Sequence, residues 1–287
     1  MNKGERTVSR DIGIAIAAIC GKHFLKLEHL HYGYWTKDLE VDIANLRIAQ
    51  ENYVNFLISH IPDNIETILD VGCGAGQIAR KLVDMGHQVD CVSPSPFLSE
   101  RVRALLGDTS HIFECRYEQL ETENRYDLIL FSESFQYIAL EKALEKTLTF
   151  LNNDGYLLIC DPFKKDVKGN NILGGGHKLT KFFELIAHYP FELVKDADIT
   201  EETAPNLDIL DDAIKSVAQP VLNLGLSFLD TRYPLTSKFL RWKYRKQINK
   251  NYKKYFGGGR TGEDFKKFKS YRLFLYRKIH LNNKTNK

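Results

Sequence analysis

The sequence lacks the cysteine patterns and ligand clusters that hold many small or secreted domains together. Its 287 residues include five cysteines, which lie far apart and form no Cys-x-x-Cys pair. This spacing argues against a disulfide framework and against a zinc site, and it indicates reduced thiols in a cytosolic protein. His, Asp and Glu form no cluster with ligand spacing either, so we predict that no metal is bound.

Long apolar runs, internal repeats and low-complexity tracts are also missing. The N-terminal apolar stretch, Ile12 to Cys20, is far shorter than the roughly 20 residues of a membrane-spanning helix. It follows two acids, Glu5 and Asp11, and precedes no small-residue cleavage pattern, which disfavours a secretory signal peptide. We therefore interpret it as a helix that packs on an apolar surface, and we predict a cytoplasmic protein.

The chain does have enough apolar residues for a full core, and its charge is very uneven. It is 43% hydrophobic and 27% charged, which excludes disordered and collagen-like chains. Residues 238–287 carry 17 Lys and Arg against two acids. Since the whole chain has 40 bases and 37 acids, residues 1–237 carry 23 bases against 35 acids. The basic end predicts an anionic partner or an internal match with the acidic body.

Residues 67–161 alternate between short apolar runs and stretches with helical spacing. Thr67 to Val71 is apolar enough to be a strand buried on both faces, and a helical pattern follows it. The same pattern predicts further strands at 88–92, 112–115, 126–131 and 156–160. Repeated strand-helix units predict an open, doubly wound, mostly parallel sheet.

After residue 161 the alternation stops, and this change sets the predicted domain organisation. Two closing strands are predicted at 191–199 and 270–280, which makes seven in all, with mostly helical sequence between them. The predicted organisation is a helical lid (1–60), an α/β core (61–199), a helical cap insertion (200–268) and a closing strand with a basic tail (269–287).

The first strand ends in a glycine-rich turn, Gly72-Cys-Gly-Ala-Gly76. Open α/β sheets bind ligands outside the carboxyl ends of their strands, and glycines there let the backbone approach a ligand closely. A dinucleotide site needs Gly-x-Gly-x-x-Gly, but Gln77 stands where that pattern has its third glycine. The spacing therefore departs from the dinucleotide fingerprint.

Three motifs resemble those of the class I S-adenosylmethionine-dependent methyltransferases, in the family's order. Ile68 to Gly76 resembles the first motif, Tyr126 to Ser134 the fourth-strand motif, and Leu151 to Ile159 the turn and fifth strand. The resemblance covers roughly residues 30–161. It implies a Rossmann-like fold, S-adenosylmethionine as the cofactor, and an enzyme that transfers a methyl group.

The resemblance also implies which residues contact the cofactor. They are the loop and the polar residues at the strand ends, namely Asp70, Gly72, Gly74, Gly76, Ser93, Tyr117, Ser132 and Glu133. At position 93 the family commonly has an acid for the ribose hydroxyls. Ser93 lacks that bidentate grip, so cofactor affinity is the property in doubt, and Asp90 lies mid-strand, where it is a poorer candidate.

The segment His31-Tyr-Gly-Tyr-Trp35 resembles a motif of members that act on small molecules and lipids, in which aromatic residues form a lid. Tyr32 and Trp35 are therefore expected over the cofactor, since a ring beside a sulfonium gains about 0.5–2 kcal/mol. The alternative is that Tyr32, Tyr34 and Trp35 form a packing cluster under the N-terminal helix.

Methyl transfer needs positioning, and a hydroxyl or amine acceptor also needs a base within hydrogen-bond reach. Glu133 and His177 are the candidate catalytic residues, with His31 less favoured, and Glu133 could instead contact the cofactor. Gln136 and Tyr137 occupy positions where the family often places residues that face the acceptor, so we assign them to substrate binding.

Residues 238–278 interleave eleven aromatic residues with basic ones. They predict an apolar helix face packed on the core, a basic amphipathic helix on an anionic membrane, or an RNA-binding surface. No RNA-binding module such as an RRM or KH signature is visible, which disfavours nucleic acid as a partner.

We therefore predict a cytoplasmic methyltransferase that acts on a small, apolar acceptor such as a secondary metabolite, a quinone or a lipid precursor. Peripheral membrane contact through the basic segment is a further expectation. Two alternatives stay open: an RNA methyltransferase that uses this segment, and a degenerate cofactor-binding module that regulates or scaffolds a partner.

Overall fold

A computed structural model of the protein describes residues 15, 18–169, 173–257 and 259–279, without the side chains of 251 and 253–256. The start of the predicted N-terminal helix and the tail from residue 280 lie outside the described residues. The strands are β1 (Thr67–Val71), β2 (Gln88–Val92), β3 (Ile112–Phe113), β4 (Tyr126–Ser132), β5 (Leu151–Lys164), β6 (Phe191–Asp198) and β7 (Lys269–Lys278).

The helices of the described residues lie on both faces of the sheet and in the long connection before the last strand. They are α1 (18–25), α2 (Leu46–Ile58), α3 (Gln77–Asp84), α4 (Pro96–Leu106), α5 (Leu140–Phe150), α6 (Leu179–Ile186), α7 (Thr200–Thr203), α8 (Pro205–Ala213), α9 (Gln219–Arg232), α10 (Pro234–Lys243), α11 (Arg245–Phe256) and α12 (Gly262–Phe268). A π-helical turn, Ile214–Ala218, joins α8 to α9. Among these residues no helix is both long and apolar enough to cross a bilayer.

The strands form one sheet in the order β3-β2-β1-β4-β5-β7-β6. The first five are parallel, and β7 runs antiparallel to β5 and β6, so the predicted fold class is confirmed. The chain moves outward from β1 to β3 and then returns to place β4 on the other side of β1. This reversal opens a crevice beyond the carboxyl ends of β1 and β4, where such sheets bind their ligands.

Two apolar cores lie on opposite faces of the sheet, because alternate side chains of a strand point to opposite sides. Ile68 and Leu128 belong to the core under α2 and α3, whereas their neighbours Leu69 and Ile129 belong to the core under α5 and α6. Both faces are covered, which explains why the strands are apolar without a polar alternation.

The insertion between β6 and β7 is helical, as predicted, but only its two ends pack on the core. Leu207 of α8 and Phe265 of α12 are buried in the core beneath α2. By contrast, none of the described residues of α9 is buried. Among the described residues of α10, Ser237 alone is buried. The structure therefore does not pack the apolar faces of α9 and α10 on the sheet domain.

The start of β5, where it pairs with β4, differs from its prediction. The turn predicted at 152–155 is part of β5, which already pairs through Leu151 with Tyr126 before the register shifts. Asp154 has a φ of +60° at this irregularity. The sequence Asn-Asn-Asp-Gly makes a local bulge here, because its residues tolerate left-handed backbone.

We expect Phe182→Ala to lower the free energy of unfolding by about 3–5 kcal/mol. Phe182 is fully buried, with its ring centroid 5.1 Å from that of Phe163 and 5.2 Å from that of Phe274. The adjacent Phe183 is 37% exposed, so Phe183→Ala should cost clearly less. Urea denaturation measures both, and equal losses would contradict this description of the core.

Candidate cofactor site

The loop after β1 is built from three glycines with left-handed backbone. The φ angles of Gly72, Gly74 and Gly76 are +78°, +57° and +85°. A Cβ at Gly72 would overlap Ser134, and a Cβ at Gly76 would lie 3.2 Å from Val102. At Gly74 the nearest atom to such a Cβ is 4.0 Å away, so this glycine borders open space. The loop thus keeps one position free of side chain on its ligand side.

A cavity of about 520 Å³ lies at the carboxyl ends of β1, β2 and β4. This volume is within the range of small-molecule sites, roughly 300–1,000 Å³. Eight of the predicted site residues line it, namely Asp70, Gly72, Gly74, Ser93, Tyr117, Ser132, Glu133 and Tyr137. The structure thus brings together most of the predicted cofactor contacts.

Asp70, at the end of β1, is fully buried and lines this cavity. Its Oδ2 has no hydrogen-bond partner among the residues that the structure describes. Burial raises the pKa of Asp70 to about 7. A buried carboxylate oxygen without a donor is costly, so the site favours a ligand that brings a cation or an N–H group.

Glu133 follows β4 and belongs to a buried polar network. Its Oε1 accepts hydrogen bonds from the backbone N–H of Tyr32 and from the hydroxyl of Tyr271, both at 2.7 Å. The Tyr271 hydroxyl lies 3.2 Å from that of Tyr53, which in turn lies 3.0 Å from Oγ of Ser132. Burial raises the pKa of Glu133 to about 7.

The backbone of Glu133 is also unusual, because its φ is +54°. A non-glycine residue in this region costs about 1–3 kcal/mol and is often found at functional sites. The left-handed turn directly after β4 places Glu133 at the cavity wall.

The cavity is covered by residues 28–31 and not by the predicted aromatic lid. Glu28, His29, Leu30 and His31 line it, whereas Tyr32 and Trp35 do not. The sequence interpretation did not assign His29, and it placed His31 last among the candidate bases. The available signal was that His31 begins the His-Tyr-Gly-Tyr-Trp segment and that His29 lies two residues before it.

The rings of Tyr32 and Trp35 face the core and not the cavity, because hydrogen bonds hold the backbone of this segment to the start of the helical insertion. The backbone N–H of Trp35 donates to the carbonyl of Glu202, and Trp35 is only 4% exposed. Gly33 exchanges two hydrogen bonds with the side-chain amide of Asn206, at 2.7 and 2.8 Å. This gives no support to the expected lid and favours the packing-cluster alternative, in which Tyr32 and Tyr34 pack against the core.

His31 is a neutral imidazole at the cavity wall. Its Nδ1 lies 2.7 Å from the carbonyl oxygen of Tyr32 and must therefore carry the proton. Its Nε2 is buried and has no partner among the described residues. Burial, with a smaller contribution from the nearby His29, lowers the pKa of His31 to about 3. The ring also lies 4.4 Å from the ring of Tyr53.

Ser93 is buried at the end of β2, where its Oγ accepts from the backbone N–H of Ser95 at 3.3 Å. Asp90 faces away from the cavity and accepts a 2.7 Å hydrogen bond from the Tyr126 hydroxyl. The described end of β2 therefore offers hydroxyl groups to a ligand and no carboxylate. Tyr117 lines the far side, with its hydroxyl 3.1 Å from that of Thr147.

Besides Tyr32 and Trp35, two more predicted functional residues and one glycine lie outside the cavity. His177 contacts the carbonyl oxygen of Phe135 through Nε2 at 3.1 Å, and Gln136 accepts from the N–H of Gly176 at 3.1 Å. Gly76 packs against α4 instead of the ligand space. The structure therefore gives no support to His177 as a base or to Gln136 as a substrate contact.

The loop before His177 is held in place by a buried lysine. The buried Lys269 donates to the carbonyl oxygens of Gly174 and Gly175, at 2.9 and 2.6 Å. Burial lowers the pKa of Lys269 to about 8. Among the described residues no group of three or more His, Cys, Asp or Glu side chains could hold a metal ion.

We expect Gly74→Val to weaken the binding of S-adenosylhomocysteine by about 100-fold or more, because its side chain would occupy the ligand space. Gly86→Val is the matched control, since Gly86 also has a positive φ (+98°) and open space but lies outside the cavity. Titration calorimetry measures both affinities. Retained affinity in Gly74→Val, or an equal loss in Gly86→Val, would contradict the assignment of the loop.

Comparison with known proteins agrees with this arrangement. A family model described as a methyltransferase domain matches residues 69–159. The ubiquinone biosynthesis O-methyltransferase of Rickettsia bellii (strain OSU 85-389) is 31% identical over 121 residues, which cover 39% of this chain and 50% of that protein. The chain spans about half the length of the curated relatives that it matches.

Solved structures share the fold over nearly the whole chain. The geranyl diphosphate C-methyltransferase of Streptomyces coelicolor A3(2) superposes with a TM-score of 0.65 at 16% identity, covering 94% of this chain and 97% of that one. The [4+2]-cyclase SpnF superposes with a TM-score of 0.64, also at 16% identity, covering 94% and 96%. These likenesses establish the fold, which by itself does not decide the reaction. The family match adds that residues 69–159 of this chain form a methyltransferase domain.

Proposed function

We propose that the protein transfers a methyl group from S-adenosylmethionine to a small, apolar acceptor. The observation that carries this proposal is the cavity at the ends of β1 and β4. It combines a buried carboxyl with an unpartnered oxygen, Asp70, with a carboxyl that can accept a proton, Glu133, and with a neutral hydrogen-bond acceptor, His31. When bound, the cofactor would supply a methyl group on a cationic sulfur.

The residues present fit this cofactor. The Oδ2 of Asp70 would bind its α-ammonium group, directly or through a water molecule, which removes the cost of the unpartnered oxygen. Gly74 has no side chain and leaves open the space that the cofactor would occupy. Ser93 and Ser95 would accept or donate at the ribose hydroxyls, and Tyr117 would border the adenine. The missing acid at the end of β2 predicts a modest affinity.

The apolar nature of the acceptor follows from the rest of the cavity wall. Leu30, Tyr137 and Ile138 are among the apolar side chains that line it. Of these, Tyr137 is 65% exposed and lies at the mouth of the cavity. Two similar proteins, a ubiquinone biosynthesis O-methyltransferase and a geranyl diphosphate C-methyltransferase, have names that are consistent with such an acceptor.

Glu133 is the proposed base for a hydroxyl or amine acceptor. Both of its hydrogen bonds fall on Oε1, which leaves Oε2 for the substrate. With a pKa of about 7, this carboxyl is ionised in a large share of molecules at neutral pH, yet it still holds a proton well. The neutral Nε2 of His31 can accept a hydrogen bond from the substrate at the same cavity, but its low pKa makes it a poor base.

An apolar acceptor also bears on where the protein works. A quinone or lipid precursor partitions into bilayers, so we propose that the protein is cytoplasmic and makes peripheral contact with a membrane. A second candidate function is a cofactor-binding module without methyl transfer. The missing acid at Ser93 and the fold shared with a cyclase favour it.

The direct test uses S-adenosylmethionine with a labelled methyl group and an apolar extract of bacterial cells. We expect label in a solvent-extractable product, together with release of S-adenosylhomocysteine. Label found only in RNA or protein would refute the small acceptor, and tight cofactor binding without any transfer would favour the module.

Glu133→Gln should lower kcat about 100-fold, because an amide cannot accept the acceptor's proton. The KM for S-adenosylmethionine should change little. In the unchanged protein the rate should rise with pH through an inflection near pH 7, as the carboxyl of Glu133 loses its proton. This inflection should disappear in the variant.

Tyr271→Phe provides the matched comparison for Glu133. The Tyr271 hydroxyl bond lowers the pKa of Glu133, so its loss should move the rate inflection to higher pH. A Glu133→Gln enzyme that keeps both its rate and its pH profile would show that Glu133 only holds the cover of the cavity in place.

Cofactor binding should release a proton from Asp70. Its pKa is about 7 in the free protein, so roughly three quarters of the molecules carry this proton at pH 6.5. A bound cation lowers the pKa, and affinity should therefore rise as the pH rises from 6 to 7.5. Calorimetry in buffers of different ionisation enthalpy measures the proton, which Asp70→Asn should abolish and Asp90→Asn should retain. Release of the same proton by Asp70→Asn would exclude this role.

A further inference from the structure

Helix α9 presents a strip of uncharged residues to solvent. Residues 216–229 contain no charged side chain, and none of them is buried. Three large apolar residues follow helical spacing on one face, Val221, Leu224 and Phe228, and they are 63%, 72% and 63% exposed. In a surface helix such a face normally packs against a partner. Among the described residues, no other part of the folded chain covers these three side chains.

Helix α10 continues this surface in a helical hairpin. Leu235, Phe239 and Trp242 are spaced by four and three residues, and their exposed fractions are 82%, 54% and 74%. The carboxylate of Asp230 holds the hairpin together, because it accepts from the Arg241 guanidinium at 2.6 Å and from the Ser237 hydroxyl. The two apolar faces thus belong to one preformed element, the α9–α10 hairpin.

The charge around the hairpin is almost entirely positive. Residues 214–260 contain 11 Lys and Arg and one acid, Asp230, which gives a net charge of +10. That acid is already paired with Arg241. Lys243 lies over the ring of Phe239, with its Nζ 5.8 Å from the ring centroid. Basic groups therefore border the exposed apolar faces.

We propose that the α9–α10 hairpin docks the protein on an anionic phospholipid bilayer. The apolar faces enter the interfacial region, and the surrounding Lys and Arg side chains bind the headgroups. This proposal deepens the membrane contact proposed above, but it does not depend on the transfer reaction.

Charge and composition select the bilayer among the other occupants. A second copy of the chain would bring two segments of charge +10 together, which repel each other. RNA matches the charge, but Val221, Leu224 and Leu235 have no aromatic face for stacking bases and no groups for phosphates. A bilayer with anionic headgroups matches both the aliphatic side chains and the basic ones.

The chain contains its own fluorescent probe of this contact. Of its two tryptophans, Trp242 is 74% exposed on the hairpin, and Trp35 is buried. Vesicles of phosphatidylcholine with 30% phosphatidylglycerol should shift the emission to shorter wavelength and protect it from iodide. Trp242→Phe should abolish this change. The protein should bind pure phosphatidylcholine vesicles at least about tenfold more weakly. High salt should weaken its binding to the anionic vesicles.

Substitutions separate the hairpin from the rest of the surface. Leu224→Ser with Phe228→Ser should weaken vesicle flotation at least tenfold, because each buried apolar side chain contributes to insertion. The matched control is Met85→Ser with Val194→Ser, which changes two other exposed apolar residues (55% and 51%) and should bind vesicles as the unchanged protein does.

Several outcomes would overturn the docking proposal. They are vesicle binding unaffected by the hairpin substitutions, no emission shift with anionic vesicles, a lipid-free dimer that buries Trp242, and an emission shift with RNA alone. Binding of S-adenosylhomocysteine is measured on the same variants and should not change, since the hairpin does not line the cavity. Loss of vesicle binding with unchanged cofactor binding in the hairpin variants therefore supports the docking proposal. Normal vesicle binding without cofactor binding in the unchanged protein would count against the proposed function and leave the docking proposal standing.

Discussion

The buried carboxylate of Glu133 joins three parts of the protein that are distant in sequence. It follows β4, accepts a hydrogen bond from the segment that covers the cavity through Tyr32, and accepts another from Tyr271 of β7. An acid in this position is stable only because both donors are present, since an unpaired buried carboxylate would be costly. The cavity depends on these two hydrogen bonds, because they hold its cover, β4 and β7 together.

The helical insertion connects this site to the outer surface of the molecule. Near its start, Asn206 binds both backbone groups of Gly33, directly behind the segment that covers the cavity. Near its end, α12 is capped by Thr261 and Asp264 and buries Phe265 in the same core. Between these anchored ends the α9–α10 hairpin leaves its apolar faces exposed. One insertion thus anchors the segment behind the cavity cover and also carries the exposed α9–α10 hairpin.

The sequence predicted the sheet and its ligand loop well, because both depend on local chemistry. A strand covered on both faces must be apolar throughout, as 67–71 is, and a turn with left-handed backbone needs glycine, as at Gly74. The expectations for Tyr32, Trp35 and His177 find no support in the structure, because sequence proximity does not show which way a side chain points. Backbone bonds to Glu202 and to Lys164 decide that orientation.

The sequence by itself determined the alternation of strands and helices, the position of the glycine loop and the unequal distribution of charge. Each of these follows from residue type and spacing within a short stretch. Tertiary structure alone decided that residues 28–31 cover the cavity, that Asp70 and Glu133 have raised pKa values, and that the hairpin stays unpacked. These properties depend on burial, and burial is set by segments that meet only when the whole chain is folded.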